Sequence, residues 1–376
     1  MNANKALIDA VESHRGAMIA LTRELVAIPS ENPPGNCYPE SIELLSRRLR
    51  ELGFTDTRIE GDCVLSFTGE GPRTLYFSGH YDVVPAQNPA QFDPLVRGAN
   101  LFGRGSSDMK SGLAAMIYAA VALRDCGLLG DGRVGLVFVP DEENAGPRGS
   151  RYLADRGLLG EGAIGMLTPE PTGGVIWNTN RGAITLKITV KGKSAHVGRH
   201  HEGVNAFERM ITVARAFQEL ERESILMLGG RSEGGTNFNV VPGYCSFTLD
   251  RRINPEENFD REKARLYAVI EAARAEGIEM EVEVLQEGRS CAVAEDGPVG
   301  RALAHAVEQV TGRTPQFEMC PGLLEIRFYA ERGIPAFAYG PGLLTVSHGP
   351  NEFVPVEKVV DCAAVYALTG AELFVA

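Results

Sequence analysis

The sequence predicts an α/β protein in which a mixed, mostly parallel sheet with helices on both faces is interrupted by an inserted α+β unit. Three observations lead there. Short apolar runs alternate with stretches of helical period, and between about Thr179 and Glu287 the pattern changes to strict alternation. The chain has 376 residues and 44% apolar content, more than one hydrophobic core normally holds, so two domains are expected.

Taken in order, apolar residues recur at helical spacing from Lys5 to about Val26, and again from Ser41 to Leu52 before a stop at Gly53. Thr74–Phe77, Arg133–Val139, Ile164–Leu167 and Ile334–Tyr339 are short apolar runs bounded by Gly, Pro or Asp, as buried strands are. Ser111–Leu123 and Arg301–Val310 read as helices between them. Strands and helices alternating in this way build an open α/β sheet, whose sites lie past the carboxyl ends of its strands. In the insertion, Ala183–Val190, Val241–Ile253 and Ile278–Val284 alternate as strands with one solvated face, and Val204–Leu220 is an amphipathic helix. The expected domains are residues 1–178 with 288–376, a discontinuous unit, and 179–287, the insert.

A net charge of −12 argues against nucleic acid and anionic membranes as partners. No apolar run reaches the roughly 20 residues of a membrane span. The opening MNANKALIDAVESHRG has no basic region followed by an apolar core, and seven cysteines without CxxC spacing fit reduced thiols, so a cytoplasmic protein is expected.

The chemistry is carried by acidic and histidine residues at strand ends. His80 and Asp82 follow TLYFSG two residues apart, so they face the same way and Asp82 can accept from one ring nitrogen of His80. A strand-end His beside a helix-capping Asp would account for them as well. Asp108 lies in a Gly/Ser turn before an alanine-rich helix, where a plain N-cap is the alternative. Glu142 and Glu143 are adjacent carboxylates after VGLVFVP; they repel unless a cation or a proton absorbs the charge, although a solvated acidic loop would also read this way. One could ligate a metal while the other acts as general base. Glu170 follows LTP, and His348 sits in a Gly/Pro loop; each alone is an ordinary surface residue. Their recurrence at the ends of one inferred sheet is the argument for divalent-metal chemistry.

The strings SGHYDVVP, GRGSSDMKSG, DEENAG, EPTG, KGKSAHVG and HGPNE, in this order and with an insertion between the fourth and the last, resemble the dinuclear-zinc family of acetylornithine deacetylase, succinyl-diaminopimelate desuccinylase, aminoacylase and glutamate carboxypeptidases. The resemblance covers nearly the whole chain. It implies a discontinuous catalytic domain with an inserted lid/dimerisation domain, and two divalent ions, zinc first, with cobalt or manganese as alternatives. His80 and Glu170 would complete one metal site, Glu143 and His348 the other, with Asp108 bridging. Asp82 would orient His80, and Glu142 would be the general acid/base. His196 of SAHVG matches a histidine that polarises the scissile carbonyl, in many members from the partner subunit of a dimer. Asn239 and Arg252 match positions that hold the substrate's carboxylate, although an ion pair is the ordinary reading of an arginine beside Arg251. The bond after Asp108 would be cis. The chain departs from the pattern in the longer EENAGPRGS loop, at Ser111 and at Glu325.

These readings predict a metal-dependent amide hydrolase. It would remove an N-acyl group from, or cleave a peptide-like bond next to, a small carboxylate-bearing amino acid, with Glu142 as general base on a metal-activated water. A carboxypeptidase or dipeptidase is the enzymatic alternative, and a metal-stabilised binding protein without turnover the non-enzymatic one. The expected partners are a small N-acyl amino acid or dipeptide and a second copy of the chain.

Overall fold

In the computed structural model, which describes residues 3–375, the chain divides into two compact units. One contains the residues up to Thr179, Ala292–Cys320 and those from Leu324 on; the other contains Asn180–Cys291 and Pro321–Leu323.

In the first unit the strands lie in the order Asp56–Glu60, Cys63–Thr68, Gly132–Val139, Arg73–His80, Ala163–Thr168 and Ala336–Ala338. The last four run parallel; Asp56–Glu60 and Cys63–Thr68 add antiparallel pairings at one side, and Ile176–Asn180 continues the sheet antiparallel beyond Ala336–Ala338. The parallel strands are continuous apolar runs because helices cover both of their faces. Tyr76 and Phe77 demonstrate this, since neighbouring residues of a strand point to opposite faces. Phe77 packs on Tyr366 of the helix Val356–Val375, ring centroids 4.9 Å apart, and Tyr76 packs on Tyr329 of the helix Ile326–Ala330 at 6.0 Å. The helix Lys110–Asp125 is buried continuously from Lys110 to Leu123, and its alanines let neighbouring helices approach.

In the second unit a four-stranded antiparallel sheet has the order Leu226–Gly234, Tyr244–Ile253, Gly182–Lys191, Met280–Gly288. Ile184, Leu186, Ile188 and Val190 point into its core, while Thr185, Lys187 and Thr189 alternate on the wetter face. The helices Ala206–Gln218 and Phe259–Ala275 close that core, each capped by an asparagine, Asn205 and Asn258, that accepts from first-turn amides.

Several elements differ from expectation, two of them for plain reasons. The helical stretch Lys5–Val26 is broken at His14 into Ala3–Ser13 and Arg15–Val26, with Gly16 lowering helix propensity at the break. The run Ile334–Tyr339 contributes only Ala336–Ala338 as strand, because Pro335 has no amide to donate.

Candidate metal centre

The parallel sheet sets the centre. His80 ends its strand opposite Val139, and Tyr81 donates to the Val139 carbonyl at 2.9 Å, so His80 and the loop carrying Glu142 and Glu143 leave the sheet side by side. Glu170 follows the strand Ala163–Thr168 on the other side of Arg73–His80. Asp108 precedes the buried helix, and its bond to Met109 is cis. A Cβ at Gly112 would meet Pro169 at 2.5 Å; the bare glycine therefore lets the helix start close beside Glu170. His348 lies in the loop between Ala336–Ala338 and Phe353–Pro355, with φ of +64°.

Two groups of potential ligand atoms result. His80, Asp108 and Glu170 form one, Asp108, Glu143 and His348 the other, each within 4.8 Å. Asp108 turns one oxygen to each group: Oδ1 is 3.3 Å from His80 Nε2, and Oδ2 is 3.4 Å from His348 Nε2. Glu143 Oε2 is 3.2 Å from His348 Nε2, while its Oε1 accepts from the Val84 amide at 3.2 Å. Glu142 stands outside both groups, its Oε2 3.9 Å from His80 Nε2.

The donor chemistry fits divalent cations. His80 Nδ1 faces two acceptors, the Asp82 carbonyl at 3.0 Å and Asp82 Oδ1 at 3.4 Å, so Nδ1 carries the proton. Nε2 then faces the Asp108 carboxylate, an arrangement that calls for positive charge between them, from a proton on Nε2 or from a cation that the neutral ring would ligate. Glu170 Oε1 is buried and has no hydrogen-bond partner within the protein, a costly state that a cation relieves. The titration directions agree. Burial pushes Glu142 well above the usual carboxylate range and Glu170 up to about 8, with neighbouring carboxylates adding to both. Glu143 is also raised by burial. Asp108 is held low against its burial by His348 and His80. His348 is raised to about 10 by Asp108 and Glu143, and His80 is raised by Asp108 and Asp82 although burial opposes it. Four carboxylates around two imidazoles leave an excess of negative charge in a low-dielectric site.

Asp82 does more than face His80. Its carboxylate also accepts from the amides of Glu142 and Glu143, at 3.4 and 3.3 Å, and from Asn32 Nδ2 at 2.9 Å. Asn32 was not singled out by the sequence. It bridges Asp82 to Asp141 at 3.0 Å and accepts from Asn144 at 2.7 Å, holding the acidic loop from behind. The only sequence signal for it is the turn-rich string SENPPGN.

His196, Asn239 and Arg252 belong to the inserted unit. His196 is exposed, and its Nδ1 accepts from the Gly198 amide at 3.1 Å, so the neutral ring carries its proton on Nε2. Asn239 is beside it, its carbonyl accepting from Val197 at 3.0 Å. Arg252 forms a two-pronged ion pair with Asp250, at 2.8 and 3.0 Å.

Residues 76–371 match peptidase family M20/M25/M40. The chain belongs to this family. A succinyl-diaminopimelate desuccinylase from Methylobacillus flagellatus is 29% identical over 378 residues, 93% of this chain and 97% of its own. An M20 family metallo-carboxypeptidase from Sulfolobus solfataricus has the same fold, with a TM-score of 0.81 at 16% identity, covering 96% of this chain and 99% of that one. A dinuclear metal-binding M20 peptidase from Bacillus subtilis aligns with a TM-score of 0.71 at 19% identity, over 96% and 99%. As an M20 family member, this protein is a metal-dependent peptidase or amidohydrolase, and it binds divalent metal.

Proposed function

We propose that this M20 hydrolase uses two zinc ions, with cobalt or manganese able to substitute, to remove an N-acyl group from a small carboxylate-bearing amino acid. The observation that carries the reading is the pair of three-ligand groups sharing Asp108, with a buried carboxylate, Glu142, beside them and outside both. Bound there, two divalent ions would supply Lewis acidity, lowering the pKa of water and stabilising the oxyanion of the tetrahedral stage. The rest is the work of side chains. Glu142 takes a proton from the attacking water, holds it at Oε2, and delivers it to the departing amine. Its burial favours the protonated form between those steps. Asp82 keeps the His80 proton on Nδ1 and, through the Glu142 and Glu143 amides, fixes both carboxylates. His196 offers its Nε2–H to the scissile carbonyl, and Asn239 and Arg252 receive the substrate's carboxylate, Arg252 by exchanging Asp250 for it.

The same reading makes the active form a homodimer with His196 acting in the partner's site. Support comes from the inserted unit, where Phe207 (49% exposed) and Ile211 lie on one helix and Met227 on the edge strand Leu226–Gly234. An open edge strand beside exposed apolar side chains is a surface that pairing would cover. The free thiols of Cys37, Cys63, Cys126, Cys245 and Cys362 support a cytoplasmic setting. Among the described residues, no helix is long and apolar enough to cross a membrane.

The likeness to a carboxypeptidase keeps peptide cleavage as the second reading. A hydrolysis screen separates them: N-acetyl-, N-succinyl- and N-formyl-amino acids against dipeptides, after chelation and reloading with Zn²⁺, Co²⁺ or Mn²⁺. The proposal requires chelator-sensitive turnover with N-acyl amino acids preferred. Preference for dipeptides transfers the assignment to the peptidase reading, and no turnover with any metal refutes both.

A further inference from the structure

We propose that Arg104, Glu352 and Gln87 form a strut that fixes Asp108 and His348 relative to each other, and so controls the second metal group separately from the first. The inference rests on the reading of the two groups as metal ligands.

Glu352 directly precedes the strand Phe353–Pro355, which pairs with Asn100–Phe102, and the chain leaving that second strand is the loop that ends in Asp108. The pairing brings the Glu352 side chain into the loop. Its Oε1 accepts from three converging amides, Gly105 at 3.0 Å, Ser107 at 3.0 Å and Asp108 at 3.1 Å. Its Oε2 receives Nη1 of Arg104, and both side chains are 1% exposed. The carboxylate thus sets the backbone from which Asp108 projects.

The other end of the strut reaches His348. Arg104 Nη2 donates to Gln87 Oε1 at 2.9 Å and to the His348 carbonyl at 3.2 Å. Gln87 Nε2 donates to the same carbonyl at 2.9 Å. His348 has a left-handed backbone, φ +64°, which a residue with a Cβ adopts at some cost. Two donors on its carbonyl hold that conformation and aim the imidazole at Asp108 and Glu143.

A buried Arg–Glu pair gives little net stability over apolar packing, so stability alone is a weak reason for this one. Geometry is a better one. The strut touches Asp108 and His348, two of the three residues of the second group, and of the first group only Asp108, which both share. His80 is oriented by Asp82 instead. Loosening the strut at the His348 end, where Gln87 donates to the carbonyl, should therefore weaken the second ion far more than the first. These are positioning residues, none of which ligates.

The test is calorimetric titration of Co²⁺ into chelator-stripped full-length protein, with the cobalt absorption spectrum followed in parallel, for wild type, Gln87→Ala and Arg104→Lys. Gln87 is exposed, so its loss leaves the fold intact. Lysine at 104 keeps the charge but lacks the fork that spans Glu352, Gln87 and the His348 carbonyl. Wild type should take up two ions in separable steps. In Gln87→Ala the first step should be unchanged and the second weaker by ~10–100-fold, the usual effect of losing a partner that orients a ligand. Folded Arg104→Lys should lose at least as much; if it does not fold, Gln87→Ala decides. Unchanged second-step affinity in Gln87→Ala, or equal weakening of both steps, overturns the strut alone. Wild type that binds no Co²⁺ overturns the metal reading and the strut with it.

Discussion

Replacing Glu142 by Gln separates proton transfer from metal binding. The carboxylate lies 3.9 Å from His80 Nε2 and outside both ligand groups, so the isosteric amide should leave metal stoichiometry at the wild-type value. What it removes is the group that accepts and returns a proton, worth about 10²–10⁴ in rate. At about 1.36 kcal/mol per decade, that is about 2.7–5.4 kcal/mol of transition-state stabilisation. Stability should move the other way. Burial, with the charges of Glu170 and Glu143, raises the Glu142 pKa well above its ordinary value. A carboxyl group with a raised folded-state pKa contributes stability while protonated and loses it as pH rises from about 4.5 through that value. Metal-stripped Glu142→Gln should therefore melt at or above the wild-type Tm at pH 7, with the difference closing near pH 4. The assay is metal analysis, kcat and a melt on the same preparation. A mutant with full metal and kcat within about tenfold of wild type would refute the role, and so would a mutant that loses metal.

Asp108→Ala should reduce uptake at both metal sites, because each oxygen of that carboxylate serves one group; two ions retained at wild-type affinity would leave Asp108 a plain helix cap. Inactive His196→Ala mixed with inactive Glu142→Gln under subunit exchange should regain activity, since a mixed dimer has one site with both groups intact. Confirmed exchange without recovery would place His196 in its own chain's site. In the inserted unit, Glu262 is held below the usual carboxylate range by Arg251 and Arg265, although burial opposes them. Its contribution to stability is present above about 4.5 and lost as pH falls through the lowered folded-state value. Glu262→Gln should flatten the acid limb of the Tm-against-pH curve, and an unchanged limb would show that the pair contributes nothing.

The parts of the fold that could be read from the chain are those where one physical requirement dominates. TLYFSGH and VGLVFVP are uninterrupted apolar runs because both sheet faces are covered, and the residue that ends such a run is at the site. The strand Leu226–Gly234 carried no such mark. It is mostly exposed, contains Gly229 and Gly230, and shifts register between Leu228 and Ser232, so neither alternation nor hydrophobicity picked it out. The helix Phe259–Ala275 was missed because alanines share its outer surface with charged residues and Glu262 interrupts its buried face. At the centre, His80, Glu142, Glu143 and Glu170 were legible as residues at or just past strand ends, whereas Asp108 and His348, expected there too, come from loops, one before the helix Lys110–Asp125 and one before the strand Phe353–Pro355. Asn32 was not legible, because its partners Asp82, Asp141 and Asn144 are 50 to 112 positions away and a lone asparagine in a turn has many explanations. The ion pair of Arg252 with Asp250 was open to reading, being two residues apart on one strand.

His80 and the Glu142–Glu143 loop leave neighbouring parallel strands in register, and Glu170 leaves the strand on the far side of His80. The distance between adjacent strands, roughly 4.8 Å, is a property of the peptide backbone and of no side chain. The sheet therefore acts as a gauge for the ions. Loop residues past the two glutamates, such as those of AGPRGS, can change and alter which substrate is accepted, while the spacing on which the chemistry depends stays the same.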